Sequence, residues 1–139
     1  MKRAGFTMIE LIFVIVILGI LAAVAVPKLA ATRNDAKVSA EVASAKQILN
    51  NLAAEYTSQG QIAGASITEA NKGVNCVGFG PTTGDITDGN VTVTPIASGI
   101  DACPTAVLTQ VKTLAEDNGI LASGGTAKTH EFGGTSVVR

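Results

Sequence analysis

The chain has no tryptophan, one tyrosine and four phenylalanines in 139 residues. Its core must therefore be aliphatic and modest. It has one histidine, His130, with no cysteine or carboxylate pair at ligand spacing, which argues against a histidine-based metal centre. In a glycine-rich tail, His130 reads as an exposed polar residue. Charged residues make up only 15% and the net charge is −1, too little for nucleic-acid binding by bulk charge. No phosphate-cradling glycine loop is present, and the glycines fit turns. Asp85, Asp88, Asn90 and Asp101 lack the EF-hand spacing and read as solvated turn acids. With no catalytic constellation, the expectation is a non-enzyme without metal or cofactor.

The chain does have a long apolar run. Of the 21 residues from Phe6 to Val26, only Glu10 is charged. At ~1.5 Å per residue such a helix is about 31 Å long, enough to cross a bilayer's hydrocarbon core. A carboxylate inside such a span is expensive and marks a functional position. The run also holds much of the 47% hydrophobic content, so the remainder makes one small domain. Cys76 and Cys103 lie outside it. Two cysteines in a small exported domain predict one disulfide. The charges do not set the orientation of the run, because Lys2 and Arg3 precede it while Lys28, Arg33 and Lys37 follow it. The cysteines place the carboxyl-terminal part in an oxidising compartment.

From the residues alone the run has three readings. Ala23-Val24-Ala25 fits the cleavage pattern of a secretory signal. The run also fits a single-pass anchor. The third reading comes from its front end, Gly5-Phe6-Thr7-Met8-Ile9-Glu10. This stretch resembles the processing site of type IV prepilins and of the pseudopilins of type II secretion, and the resemblance extends over roughly residues 1 to 55. It implies cleavage after Gly5 by prepilin peptidase, on the cytoplasmic face, and N-methylation of the new first residue, Phe6. It implies a role for Glu10 in subunit assembly, and it matches Pro27 to a proline common in the long helix. Residues 1–5 would be a leader, 6–27 the transmembrane and filament-core half of the helix, and 28–139 the head domain.

Physical chemistry gives Glu10 a reason to sit there. Cleavage after Gly5 creates an ammonium at Phe6, and a neighbouring subunit can offer that group to Glu10. Pairing neutralises both charges in a layer of low dielectric, so an isolated subunit is penalised and a docked one favoured. Removing the leader also changes the charge balance to 8 basic against 11 acidic residues. Gly19 and Pro27 weaken the helix locally and predict a break or soft spot, since Pro27 lacks a donor and crowds the carbonyl of Ala23.

Beyond Lys28, Val38, Val42, Ala45, Leu49, Leu52 and Tyr56 recur at spacings of three and four, one stripe of a continuing helix. Lys37, Glu41, Ser44, Asn51 and Glu55 fall largely on other faces. Gly60 ends the helix. Residues 60–73 carry little signal beyond a helical turn over 67–72. Val77 and Phe79 alternate with glycines, Ile86 opens a second strand, and 91–94 alternates cleanly up to Pro95. Residues 104–118 predict a helix with Val107, Leu108, Val111, Leu114 and Ala115 on its apolar face, framed by Pro104 and Gly119. A last strand is expected over 135–138.

The fold class expected is α+β: a long amino-terminal helix, one half in the membrane and one half amphipathic, packed on a small antiparallel sheet, as in pilins. The resemblance implies a homo-oligomeric helical filament, an assembly ATPase and a platform protein in the inner membrane. The precursor would sit in the bacterial inner membrane and the filament outside it or spanning the periplasm. Adhesion, twitching, DNA uptake and protein secretion all remain open, and nucleic acid is a partner only for an uptake filament. A disulfide in the carboxyl-terminal half is commoner in pilins than in major pseudopilins. The 36 residues after Cys103 depart from the usual pilin. The calcium motif of some major pseudopilins is not found.

Overall fold

A computed structural model describes residues 5–96 and 103–133. Lys2, Arg3, Asp101, Gly134 and the strand expected over 135–138 lie outside the described residues. The architecture is α+β and pilin-like. Its elements are α1 (Met8–Gln59), α2 (Gly64–Ala70), β1 (Val77–Gly80), β2 (Asn90–Pro95), α3 (Thr105–Asp117) and β3 (Lys128–Glu131). The chain divides into two compact units, Met1–Asp35 and Ala36–Arg139.

The first unit holds the apolar part of α1. This helix is long and apolar enough to cross a membrane. Its large side chains, from Phe6 to Leu29, are all exposed in the single subunit. The break expected at Gly19 and Pro27 is not seen, because α1 is helical through both residues. A proline inside a helix removes one hydrogen bond and crowds one carbonyl, which a single chain can absorb without ending the helix.

The second unit is built on the three-and-four stripe of α1. Val38, Val42, Ala45, Leu49 and Leu52 are buried, and Tyr56 packs partly buried against the same core. The sheet has the order β1-β2-β3 with both pairings antiparallel. Strand alternation sends Val77, Phe79, Val91 and Val93 into the core, each about 2% exposed or less. Val107, Leu108, Val111 and Ala115 of α3 close it, with Leu114 partly buried. Each such aliphatic or aromatic side chain contributes roughly 1.5–3 kcal/mol when fully removed from water.

Three elements differ from the sequence expectation. Helix α2 forms a full short helix with Ile67 fully buried, where only a turn was expected. Ile86 makes a single antiparallel bridge to Ile62 rather than opening a strand. The third strand is Lys128–Glu131, in a stretch whose polar sequence gave no strand signal.

The connections are tied by polar side chains. Glu41 of α1 accepts hydrogen bonds from Asn75 N–H at 3.0 Å, Cys76 N–H at 3.3 Å and Asn75 Nδ2 at 2.9 Å. Glu55 accepts from Ala63 N–H at 3.0 Å and Ser66 Oγ at 2.9 Å. Glu116 of α3 accepts from the N–H groups of Gly124 and Gly125 at 3.0 and 3.2 Å. Each helix-borne carboxylate thus holds turn or helix-end donors that would otherwise go unpaired in the protein. Cys76 and Cys103 form a disulfide with Cα atoms 5.1 Å apart. It joins the residue before β1 to the approach to α3.

Candidate functional site: the amino-terminal segment

Gly5, Phe6 and Thr7 precede α1 in irregular, exposed backbone. Phe6 is 92% exposed and nothing packs against Gly5, so the Gly5–Phe6 bond lies in an open approach to the helix. Met8 is the first helical residue, which makes Thr7 the N-cap and Glu10 the third helical position. The two side chains close a reciprocal pair. Thr7 N–H and Thr7 Oγ each donate to Glu10 Oε2 at 2.8 Å, and Glu10 N–H donates to Thr7 Oγ1 at 3.4 Å. This is a capping box, in which two helix-end donors are satisfied by the side chains of the same turn. Glu10 also lies in the positive field of the helix's N-terminus, where an acid is favoured.

Only Oε2 of Glu10 is engaged in this way. Oε1 accepts no hydrogen bond from any described residue. Phe6, Leu11, Phe13 and Val14 line a shallow notch with Glu10. The segment therefore presents a carboxylate with one free oxygen in an apolar setting, beside the peptide bond whose cleavage would create an ammonium. In a medium of low dielectric such an oxygen binds a cationic donor strongly.

The capping box was missed from sequence, although its signal is local. Thr-x-x-Glu before an apolar run is the standard spacing, and Thr7-Met8-Ile9-Glu10 carries it. The other expected positions are placed plainly. Gly19 and Pro27 lie on exposed faces of α1, and Cys76 and Cys103 are bonded and buried in the second unit. His130 is half-buried rather than exposed. Its Nε2 lies 2.9 Å from the Ile120 carbonyl, so the imidazole donates there and serves the packing of β3. Asp85 accepts from Gly64 N–H at 3.1 Å, and Asp88 accepts from Asn90. Among the described residues no cluster of three histidine, cysteine or acidic side chains is poised to hold a metal ion.

An exposed apolar helix with a capped acid near its start, followed by a small α+β head, defines a pilin-like chain. Residues 1–26 match the model of the prokaryotic N-terminal methylation motif, which is the signature of type IV prepilins and pseudopilins. No curated protein and no solved structure matches the chain. The motif supports a type IV pilin-like or pseudopilin precursor, and such a motif implies processing by a prepilin peptidase and assembly into a pilus-type filament. The same motif and the apolar helix fit a membrane-anchored precursor.

Proposed function

We propose that the chain is a structural, non-enzymatic subunit of a type IV pilus-like filament. It is inserted in the inner membrane through residues 6–27, cleaved after Gly5, methylated on the new amino group of Phe6 and polymerised through α1. The observation that carries this reading is the methylation motif on residues 1–26 together with Glu10, whose Oε1 is left free by the Thr7 capping box. The ammonium of a processed neighbour is the natural donor to that oxygen. Burial of the exposed apolar face of α1 among copies of itself supplies the driving force for packing once lipid is left behind. An assembly ATPase and an inner-membrane platform protein are the partners this reading requires. The filament then stands outside the inner membrane, with the head displayed on it.

A second reading is a pseudopilin of a type II secretion or DNA-uptake machine, supported by the same methylation motif on residues 1–26, which pilins and pseudopilins share. The Cys76–Cys103 disulfide favours the pilus. Scoring motility, DNA uptake, adhesion and secretion side by side in a deletion strain separates the two. The mass and first residue of the mature protein test the shared core of both readings. The expected chain begins at Phe6 and carries one added methyl group. A chain beginning near Val26 would mean signal-peptidase release and would end both.

A further inference from the structure

The seven asparagines of the chain include one that heads an Asn-x-Thr sequence, Asn90-Val91-Thr92. In an exported protein this triplet is the acceptor pattern for N-linked glycans. We propose that Asn90 is a glycosylation site, the acceptor for an oligosaccharide delivered from a lipid-linked glycosyl diphosphate by a membrane transferase. The proposal rests on the export reading above.

The structure gives Asn90 the surroundings such a site needs. It is the half-buried first residue of β2 and follows exposed Asp88 and buried Gly89. Alternation along the strand buries Val91 and Val93, so Asn90, Thr92 and Thr94 share the outward face of the sheet. That face carries Glu131 opposite Asn90 on β3, and the Ile96 side chain stands over Gly78 at its far end. Gly80 and Thr129 stand opposite Thr92 on the two flanking strands, and Gly78 stands opposite Thr94. Thr92 and Thr129 hydroxyls lie 3.1 Å apart, in an exposed pair. A glycan rooted at Asn90 meets the Thr92 and Thr129 hydroxyls and the open backbone at Gly80 there, groups to which it can hydrogen-bond.

The polar contacts of Asn90 leave the reacting atom half free. Its backbone N–H donates to Asp88 Oδ1 at 3.1 Å, and its Nδ2 donates one hydrogen to Asp88 Oδ2 at 3.3 Å. An amide nitrogen is a weak nucleophile because its lone pair is delocalised, and a carboxylate drawing on one N–H raises its electron density. The second N–H is the one replaced. The transfer forms a bond from Nδ2 to the anomeric carbon of the glycan. It breaks the bond from that carbon to the donor's diphosphate oxygen and releases the Nδ2 proton to a base. The lipid diphosphate leaves with the bonding electron pair. After transfer one N–H remains on Nδ2 to donate to Asp88.

The test is mass spectrometry of the full chain purified from the cells that produce it, read intact and as peptides. The expected subunit starts at methylated Phe6 and exceeds the mass of residues 6–139 by a set of sugar residues, located by fragmentation on Asn90. Asn90→Gln and Thr92→Val lose the added mass completely, and Thr92→Ser retains it. Asp88→Asn lowers the fraction modified severalfold. Intact Cys76–Cys103 pairing in each variant shows that the head has folded. A processed subunit with unmodified Asn90 overturns the proposal and leaves the export reading standing. Added mass that survives Asn90→Gln overturns it too, by placing the sugar on hydroxyl side chains. A chain that keeps its leader and carries no glycan removes the export reading and this proposal with it.

Discussion

Thr7 and Glu10 hold each other at the start of α1, with Thr7 giving two hydrogen bonds to one oxygen of Glu10 and taking one from its N–H. The acid therefore has two tasks: it caps its own helix through Oε2, and it offers Oε1 outward. Glu10→Val removes both, and Thr7→Val removes only the cap's side-chain half. Both variants should insert in the membrane and be cleaved after Gly5. Glu10→Val should then fail to enter filaments, while Thr7→Val should lose part of the yield. Sheared filament mass against total processed subunit measures this. A normal yield from Glu10→Val would remove the assembly role of the acid.

The disulfide closes a loop of 27 residues between Cys76 and Cys103. In the chain-entropy picture a loop of that size contributes about 3.5 kcal/mol. For a domain of this size that corresponds to a fall in Tm of on the order of 15 °C when the bond is absent. Cys76→Ala with Cys103→Ala should melt lower by about that amount in detergent, and thiol reagents should leave the unreduced wild-type protein unlabelled. Labelling of Cys76 without prior reduction would contradict the bond.

Asn71 closes the outer edge of β1. Its Oδ1 accepts from Phe79 N–H at 2.7 Å and its Nδ2 donates to the Phe79 carbonyl at 2.9 Å, so one carboxamide substitutes for a neighbouring strand. Asn71→Ala leaves both backbone groups without a protein partner in a partly buried place, at a cost of about 1–3 kcal/mol. Asn71→Asp keeps the acceptor but turns a second oxygen toward the Phe79 carbonyl. It should therefore cost at least as much as alanine despite its matching shape. Denaturant unfolding of the two variants decides it, and a milder effect for Asp than for Ala would show that the pair matters little. An unpaired β1 edge is also open to strand addition by another chain, so aggregation should rise in both variants.

The apolar periodicity made most of the fold readable. The spacing of Val38, Val42, Ala45, Leu49 and Leu52 marks a helix face, and Val77, Phe79, Val91 and Val93 alternate as buried strands do. Pro104 and Gly119 frame α3 within one or two residues. Strand β3 escaped because its inward positions are Lys128 and His130. These are held by polar hooks, Lys128 Nζ on the Gly119 carbonyl at 2.7 Å and His130 on Ile120, so no apolar alternation exists to be seen. Glu41 looked like a solvated face for a related reason. Its partners, Asn75 and Cys76, are more than thirty residues away, and no local rule finds them. At the amino terminus Gly5, Phe6 and Glu10 stood out through their pattern, while Thr7 needed only the four-residue capping spacing to be recognised.

Gly89 is a glycine whose replacement should cost more than its backbone conformation alone, and the comparison with Gly84 says why. Both have positive φ, +73° at Gly89 and +79° at Gly84, where any L side chain is strained by roughly 1–2 kcal/mol. They differ in their surroundings. A Cβ at Gly84 meets nothing within 4 Å, whereas one at Gly89 lands 2.8 Å from Tyr56 Cζ and 2.9 Å from the Gly133 backbone nitrogen. Tyr56 is packed against the core, and Gly133 follows Phe132, whose N–H donates to the Gly89 carbonyl at 2.9 Å. Neither neighbour can retreat without disturbing the pairing beside β3. Gly84→Ala should thus show the backbone strain alone, and Gly89→Ala the strain plus an overpacking cost of about 1–3 kcal/mol. Unfolding midpoints of the two variants measure the difference. Equal midpoints would mean that the Tyr56 ring moves aside freely, and the steric account of Gly89 would fail.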